Sequence, residues 1–166
     1  MKLSDGVEQA IHSVTMLAGL EVDAVLSASS LAEFHGVSTS YLLKHLQALS
    51  NAGILATVPG PKGGYRLARA PAAISLLDIV LAVEGPAPAF RCNEIRQRGP
   101  NPLPGRYFKA PCGINAAMLR AEKAYRAELA GVSVADLIAD LTHTDDGGIA
   151  ARGCAFLDQH QRKSAR

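Results

Sequence analysis

The stretch SLAEFHGVSTSYLLKHLQALSNAG, residues 30–53, decides the fold. A short helical segment, Ser30 to His35, runs into Gly36, a natural helix stop. Ser38 then caps a second helix to about Asn51, with Leu42, Leu46 and Leu49 on one side and Gly53 closing it. Two helices joined by so short a glycine-containing turn form a helix-turn-helix. The next residues, ILATVPGPKGGYRLA at 54–68, place a Gly/Pro-rich basic tip between two strand-like runs. This predicts a β-hairpin, and a helix-turn-helix followed by a hairpin is a winged helix.

Working outward, Val7, Ile11, Val14 and Ala18 recur at helical spacing behind Ser4, so residues 4–20 read as a core helix with Ser4 as its cap. Ser75 with Asp78 resembles a capping box opening a helix through Leu76, Ile79, Val80 and Val83 to Gly85. Beyond Gly85 the composition shifts. Residues 86–111 are rich in Pro, Gly and Arg, and Cys92 and Cys112 bracket the irregular centre. A loop of that length in a compact chain is functional or disordered. Met118, Ala121, Tyr125 and Leu129 then form a narrow apolar stripe on a helix of about 16 residues, the seam expected for one partner helix. Ser133 caps a last short helix, Val134 to Leu141, and the polar, Gly-rich stretch after Thr142 reads as a mobile tail. The expected organisation is a DNA-binding domain over 1–85, a loop over 86–112, dimerisation helices over 113–141 and a flexible tail over 142–166. The fold class is mainly α with a small β-hairpin wing: a winged helix-turn-helix plus a long C-terminal dimerisation helix.

At 166 residues, 48% hydrophobic and 19% charged, the chain can bury a core, which excludes a disordered chain and most large enzyme folds. Seventeen basic against fifteen acidic residues give only +2, so nucleic-acid binding must be argued from placement. No apolar run approaches the roughly 18 residues of a membrane span, and no signal-peptide core follows Met1, so no membrane partner and a cytoplasmic location are expected.

On the second helix, Ser40, Lys44, Gln47 and Asn51 lie opposite the leucines, and Thr39, Tyr41 and His45 sit at the same N-terminal end. Hydroxyl, ammonium and amide groups suit base edges and phosphates, although a plain solvated face has the same pattern. Lys62 at the hairpin tip, with Arg66 and Arg69 nearby, puts cations where backbone can approach a phosphate, and this favours double-stranded DNA. Glu8 and His12 share one face of the first helix at i,i+4, which alone is compatible with a surface hydrogen-bonded pair. Together with Cys92 and Cys112 they make four ligands suited to zinc or to an iron–sulfur cluster. Cys154, isolated in the polar tail, reads as a bystander. No phosphate loop or cofactor fingerprint is present and no histidine neighbours Cys92 or Cys112 in sequence, so an enzyme is not expected.

Several motifs carry a family resemblance from Met1 to about Leu141. They are Met1-Lys2-Leu3-Ser4, Val37-Ser38 with Tyr41-Leu42, Ala52-Gly53, Gly63-Gly64-Tyr65, and Ile74-Ser75-Leu76 with Asp78-Ile79. In combination they resemble the bacterial IscR/NsrR-type regulators of the Rrf2 family. The resemblance implies a homodimeric winged-helix transcription factor whose long C-terminal helix forms the dimer interface and whose members often sense iron–sulfur status, nitric oxide or redox state; a two-fold dimer matches a palindromic operator. Cluster-binding members carry three cysteines before the dimerisation helix. Here Cys92 and Cys112 match the first and last, and no cysteine lies between them. Glu8 matches an acidic ligand given by the other subunit, and His12 stands where it can replace the missing thiolate. With Phe90-Arg91-Cys92-Asn93-Glu94, this looks most like the RsrR-type redox regulators of actinomycetes and implies a [2Fe-2S] cluster. A metal-free repressor answering a small-molecule signal is the alternative.

Overall fold

The computed structural model describes residues 3–144 and 146–163, with the side chains of Thr142 and Thr144 excepted. The elements run α1 (Asp5–Leu17), β1 (Ala24–Val25), α2 (Ala28–His35), α3 (Thr39–Asn51), β2 (Leu55–Val58), β3 (Gly64–Leu67), α4 (Leu76–Glu84), α5 (Gly113–Gly131), α6 (Val134–Thr144), α7 (Gly148–His160) and β4 (Arg162–Lys163). Leu42, Leu46 and Leu49 are fully buried, joined in one core by Val14, Leu26, Leu31, Ile54, Ile74, Ile79 and Val134. Each such aliphatic side chain contributes about 1.5–3 kcal/mol by leaving water. That burial fixes α3 against α1, α2 and α4 and leaves its other side to solvent.

Local chemistry sets the element ends. Gly36 adopts the left-handed conformation (φ 66°) and closes α2 with its N–H on Glu33 O. Helix α2 starts earlier than Ser30, because Ser27 is its cap and accepts from the Ser30 N–H at 3.0 Å. The Ser75/Asp78 capping box is present in both directions, and Ser133 with Asp136 makes a second one at the start of α6. Ser4 and Ser38 stand at N-cap positions without capping through their side chains. The Ser4 hydroxyl instead donates to the Glu84 carboxylate at 2.6 Å, clasping the start of α1 to the end of α4. The Ser38 hydroxyl pairs with that of Ser40.

Strands β2 and β3 form the wing hairpin, in register Leu55↔Leu67 to Val58↔Gly64. Leu26, just past β1, exchanges two backbone hydrogen bonds with Tyr65, so β1 lies along the far edge of β3. A Cβ at Gly64 would meet the Leu26 carbonyl oxygen at 2.4 Å, which is why this position has none.

Among the described residues after Thr142 the chain departs from expectation; Asp145 and residues 164–166 of the expected tail lie outside them. Where a mobile tail is predicted, α7 folds back with Leu157 buried, and Arg152 donates to the Phe34 carbonyl from above the Phe34 ring. β4 then pairs antiparallel with β1, Val25 opposite Arg162. Helix α7 has few large apolar residues, so its docking rests on contacts distant in sequence that periodicity does not register. The first helix of the expected 113–141 segment is present and longer than anticipated, 19 residues in α5. No helix among the described residues is long and apolar enough to cross a membrane.

Candidate nucleic-acid interface and thiol cluster

The outward arc of α3 carries Thr39, Ser40, Lys44, Gln47 and Asn51, all exposed, as the sequence places them. Leu43 joins them at 41% exposure, an apolar contact that the search for polar groups passed over and one suited to a thymine methyl. Tyr41 is exposed but lies on the flank, edge-on to His45. His45 itself does not face outward: its ring packs over Gly6 of α1, where a Cβ would sit 2.3 Å from the ring. Its Nε2 is buried without a partner, and burial first, then Lys44, hold its pKa below the usual 6.5, with Glu84 opposing. Packing against α1 therefore takes His45 out of the expected base-reading set.

At the wing, Lys62 projects from the exposed tip. Arg66 is half-buried and pairs with Asp23 at 3.4 Å, while Arg69 pairs with Asp78 and donates to the Ala73 carbonyl. Two of the three basic side chains that sequence assigned to this region are thus partly neutralised within the protein.

The loop between α4 and α5 brings Cys92 and Cys112 together. Their sulfurs and a Glu94 carboxylate oxygen all lie within 4.8 Å of one another. Cys112 is buried at the N-cap of α5 and Cys92 is half-buried. The backbone N–H groups of Asn115, above all, and Ile114 hold the Cys112 thiol below its ordinary pKa against desolvation, and Cys92 and Arg96 add to this. A helix N-terminus stabilises a thiolate in this way. The Glu94 N–H donates to Cys92 Sγ at 3.4 Å, and Arg96 holds the Glu94 carboxylate while its guanidinium lies over the Phe108 ring. Glu94 is a non-glycine residue at φ 47°, a strained backbone of the kind that clusters at functional sites. Sequence reasoning missed it as a ligand candidate, although it stands two residues from Cys92.

Glu8 and His12 are exposed on α1 and are not part of this group. They line shallow surface clefts with Asp5, and the His12 ring stands 5.6 Å from that of His35. One protomer therefore assembles the thiol half of the expected ligand set and leaves the other half facing outward. The thiol loop is gripped by α5: Arg126 donates to the carbonyls of Pro86 and Ala87 and to Glu122, whose other carboxylate oxygen accepts from the Ala89 N–H.

On α5 no residue is buried. Tyr125 and Leu129 of the expected seam are half-buried, and Tyr125 lines a cleft of about 460 Å³ with Leu77, Val80 and Leu81 of α4. Met118 and Ala121 are exposed, and the apolar strip continues to Ile114, 67% exposed, which the sequence reading did not include. Cys154 is exposed on α7, outside the thiol group.

The fold is shared by several solved structures. CymR of Bacillus subtilis, the global cysteine regulator, superposes with a TM-score of 0.65 at 24% identity, covering 87% of this chain and 99% of that one. IscR of T. potens does so at 0.65 and 23%, covering 91% and 96%. The Lactococcus lactis protein YffB, named as an HTH-type transcriptional regulator, is 34% identical over 142 residues, 86% of this chain and 89% of its own length. These relatives are transcriptional regulators and not enzymes. Residues 3–140 match the family described as iron-dependent transcriptional regulators, so the chain belongs to the Rrf2 family.

Proposed function

We propose that the protein is a homodimeric DNA-binding regulator that senses redox state through a [2Fe-2S] cluster held by Cys92 and Cys112 of one protomer and Glu8 and His12 of its partner. The observation that carries this reading is the convergence of two thiols, one stabilised as thiolate by a helix N-terminus, beside a loop strained at Glu94. The donor set fits: two soft sulfurs are in place, and an imidazole and a carboxylate stand exposed on α1 for a second copy. A cluster bound there supplies one-electron redox chemistry, and an imidazole in place of a thiolate lowers its negative charge and raises its potential.

The chain's own residues connect that site to DNA. Glu8 and His12 share α1 with Gly6, whose bare backbone seats His45 of α3. Cys112 opens α5, which grips the thiol loop through Arg126 and Glu122. An imidazole ligand can couple electron transfer to a proton. The exposed strip Ile114, Met118 and Ala121 on an otherwise unburied helix suits a second copy related by a two-fold axis, which matches palindromic half-sites.

Anaerobically purified protein tests this directly. It is expected to hold iron and sulfide and to absorb in the visible; Cys92→Ala or Cys112→Ala should bleach it, Cys154→Ala should not, and His12→Ala should shift the potential. Iron and sulfide near zero in the parent, or an unchanged spectrum in the double cysteine variant, would refute the cluster. The metal-free alternative would then lead, supported by an apolar cavity of about 260 Å³ among Met16, Phe34, Ile138 and Leu157 that a small molecule could fill.

A further inference from the structure

We infer that the C-terminal strand β4 is a second phosphate-contacting element of the wing, through Arg162 and Lys163. This rests on the DNA-binding reading above and adds a site that the helix-turn-helix and hairpin do not contain.

The strand is seated by several independent ties. β4 pairs with β1, which itself lies along β3 through the Leu26–Tyr65 bridge, so the tail extends the wing by one strand. Arg162 donates from Nη1 to the Pro61 carbonyl at 3.2 Å, across 101 residues of sequence. Pro61 precedes Lys62 at the wing tip, so the Arg162 guanidinium sits beside the residue expected to meet the DNA backbone. The neighbouring Gln161 accepts from the Glu21 N–H at 3.1 Å, and Leu157 and Arg152 anchor the helix behind it.

Charge placement supplies the reason for the contact. Arg66 and Arg69 have acidic partners, whereas Arg162 and Lys163 are exposed and have none among the described residues. The hydrogen bond to Pro61 uses one of the five guanidinium donors and no charge, leaving a planar fork that suits a phosphate bidentately. Lys62 and Arg162 thus meet at the wing tip from segments distant in sequence, with Lys163 next to Arg162 on β4, and the ligand class of these cations is the phosphodiester backbone of duplex DNA.

The test uses the full chain and the duplex that it selects from random-sequence 40-base-pair DNA. Each lost phosphate contact lowers the slope of log K against log salt by about 0.9 and weakens binding about fivefold near 0.15 M salt. Arg162→Ala with Lys163→Ala should therefore lower the slope by about 1.8 and the affinity about thirtyfold. Arg120→Ala with Lys123→Ala, an equal charge loss on α5, should leave the slope near the parent value. Arg162→Gln, which keeps a donor for Pro61 but not the charge, should lose about fivefold with an unchanged unfolding midpoint, separating charge from docking. If the β4 pair binds and responds to salt like the parent while Lys44→Ala weakens binding, the inference is overturned and the reading helix stands. If the parent selects no duplex at all, the DNA reading fails, and this inference fails with it.

Discussion

Leu157→Ala measures how firmly the C-terminal helix belongs to the domain. Leu157 is 4% exposed, and its Cδ1 would stand 2.9 Å from a Cβ built on Gly19, so it fills a slot opened by a missing side chain on the turn after α1. The substitution removes three carbons; at about 0.8 kcal/mol each the transfer loss is about 2.4 kcal/mol. A cavity penalty is added in a closed core, but Leu157 borders the 260 Å³ cavity, which is partly open, so that addition is small. The expected loss is about 2–3 kcal/mol, or roughly 5–10 °C in Tm for a chain of this size. Urea unfolding followed by far-ultraviolet circular dichroism reads it, with protein concentration held fixed because a dimer links stability to concentration. Ile149→Ala on the same helix, at a side chain 61% exposed, should cost less than about 0.5 kcal/mol. A Leu157→Ala loss within about 0.5 kcal/mol of zero would refute the docking and restore a loose tail.

Gly64→Ala should cost about 1–3 kcal/mol and weaken DNA binding, since the added carbon collides with the Leu26 carbonyl at the base of the wing; an unchanged midpoint would disprove the close approach. Burial lowers the His45 pKa in the folded state, so its contribution to stability is present above the ordinary value of 6.5 and is lost as pH falls through the lower folded value. His45→Gln should flatten the urea midpoint between about pH 7.5 and 5 relative to the parent. Met118→Glu puts a charge on the exposed strip of α5 and should yield monomers by mass at micromolar concentration, while the same change at exposed Lys123 leaves the dimer intact.

The reader half of the molecule was legible because its signals are local. Three leucines at helical spacing, Gly36 at a left-handed stop and the Ser75/Asp78 box each act within a few residues. What escaped depends on partners far away in the chain. His45 looks like a reading residue until Gly6, on another helix, opens a seat for it. Helix α7 offers periodicity little beyond Ile149, Phe156 and Leu157, and Arg152, Gln161 and Arg162 hold it through carbonyls and an amide of distant segments. Glu94 reached the thiols through a backbone conformation that its residue type does not favour. Cys92 and Cys112 could be paired from sequence because they bracket one loop, whereas Glu8 and His12, exposed on α1, lie outside that group.

The seat of His45 on Gly6 makes the joint between α1 and α3 stiff. Where two side chains meet, rotamer changes absorb small displacements, and a push on one helix is damped before it reaches the other. Here an imidazole ring abuts bare backbone, so one of the two surfaces has no rotamer to yield. The joint has little compliance, and α1 behaves toward the reading helix as a lever without backlash. Refilling position 6 with a larger side chain would act as a shim, resetting the angle of α3 even with every group that touches DNA left as it is.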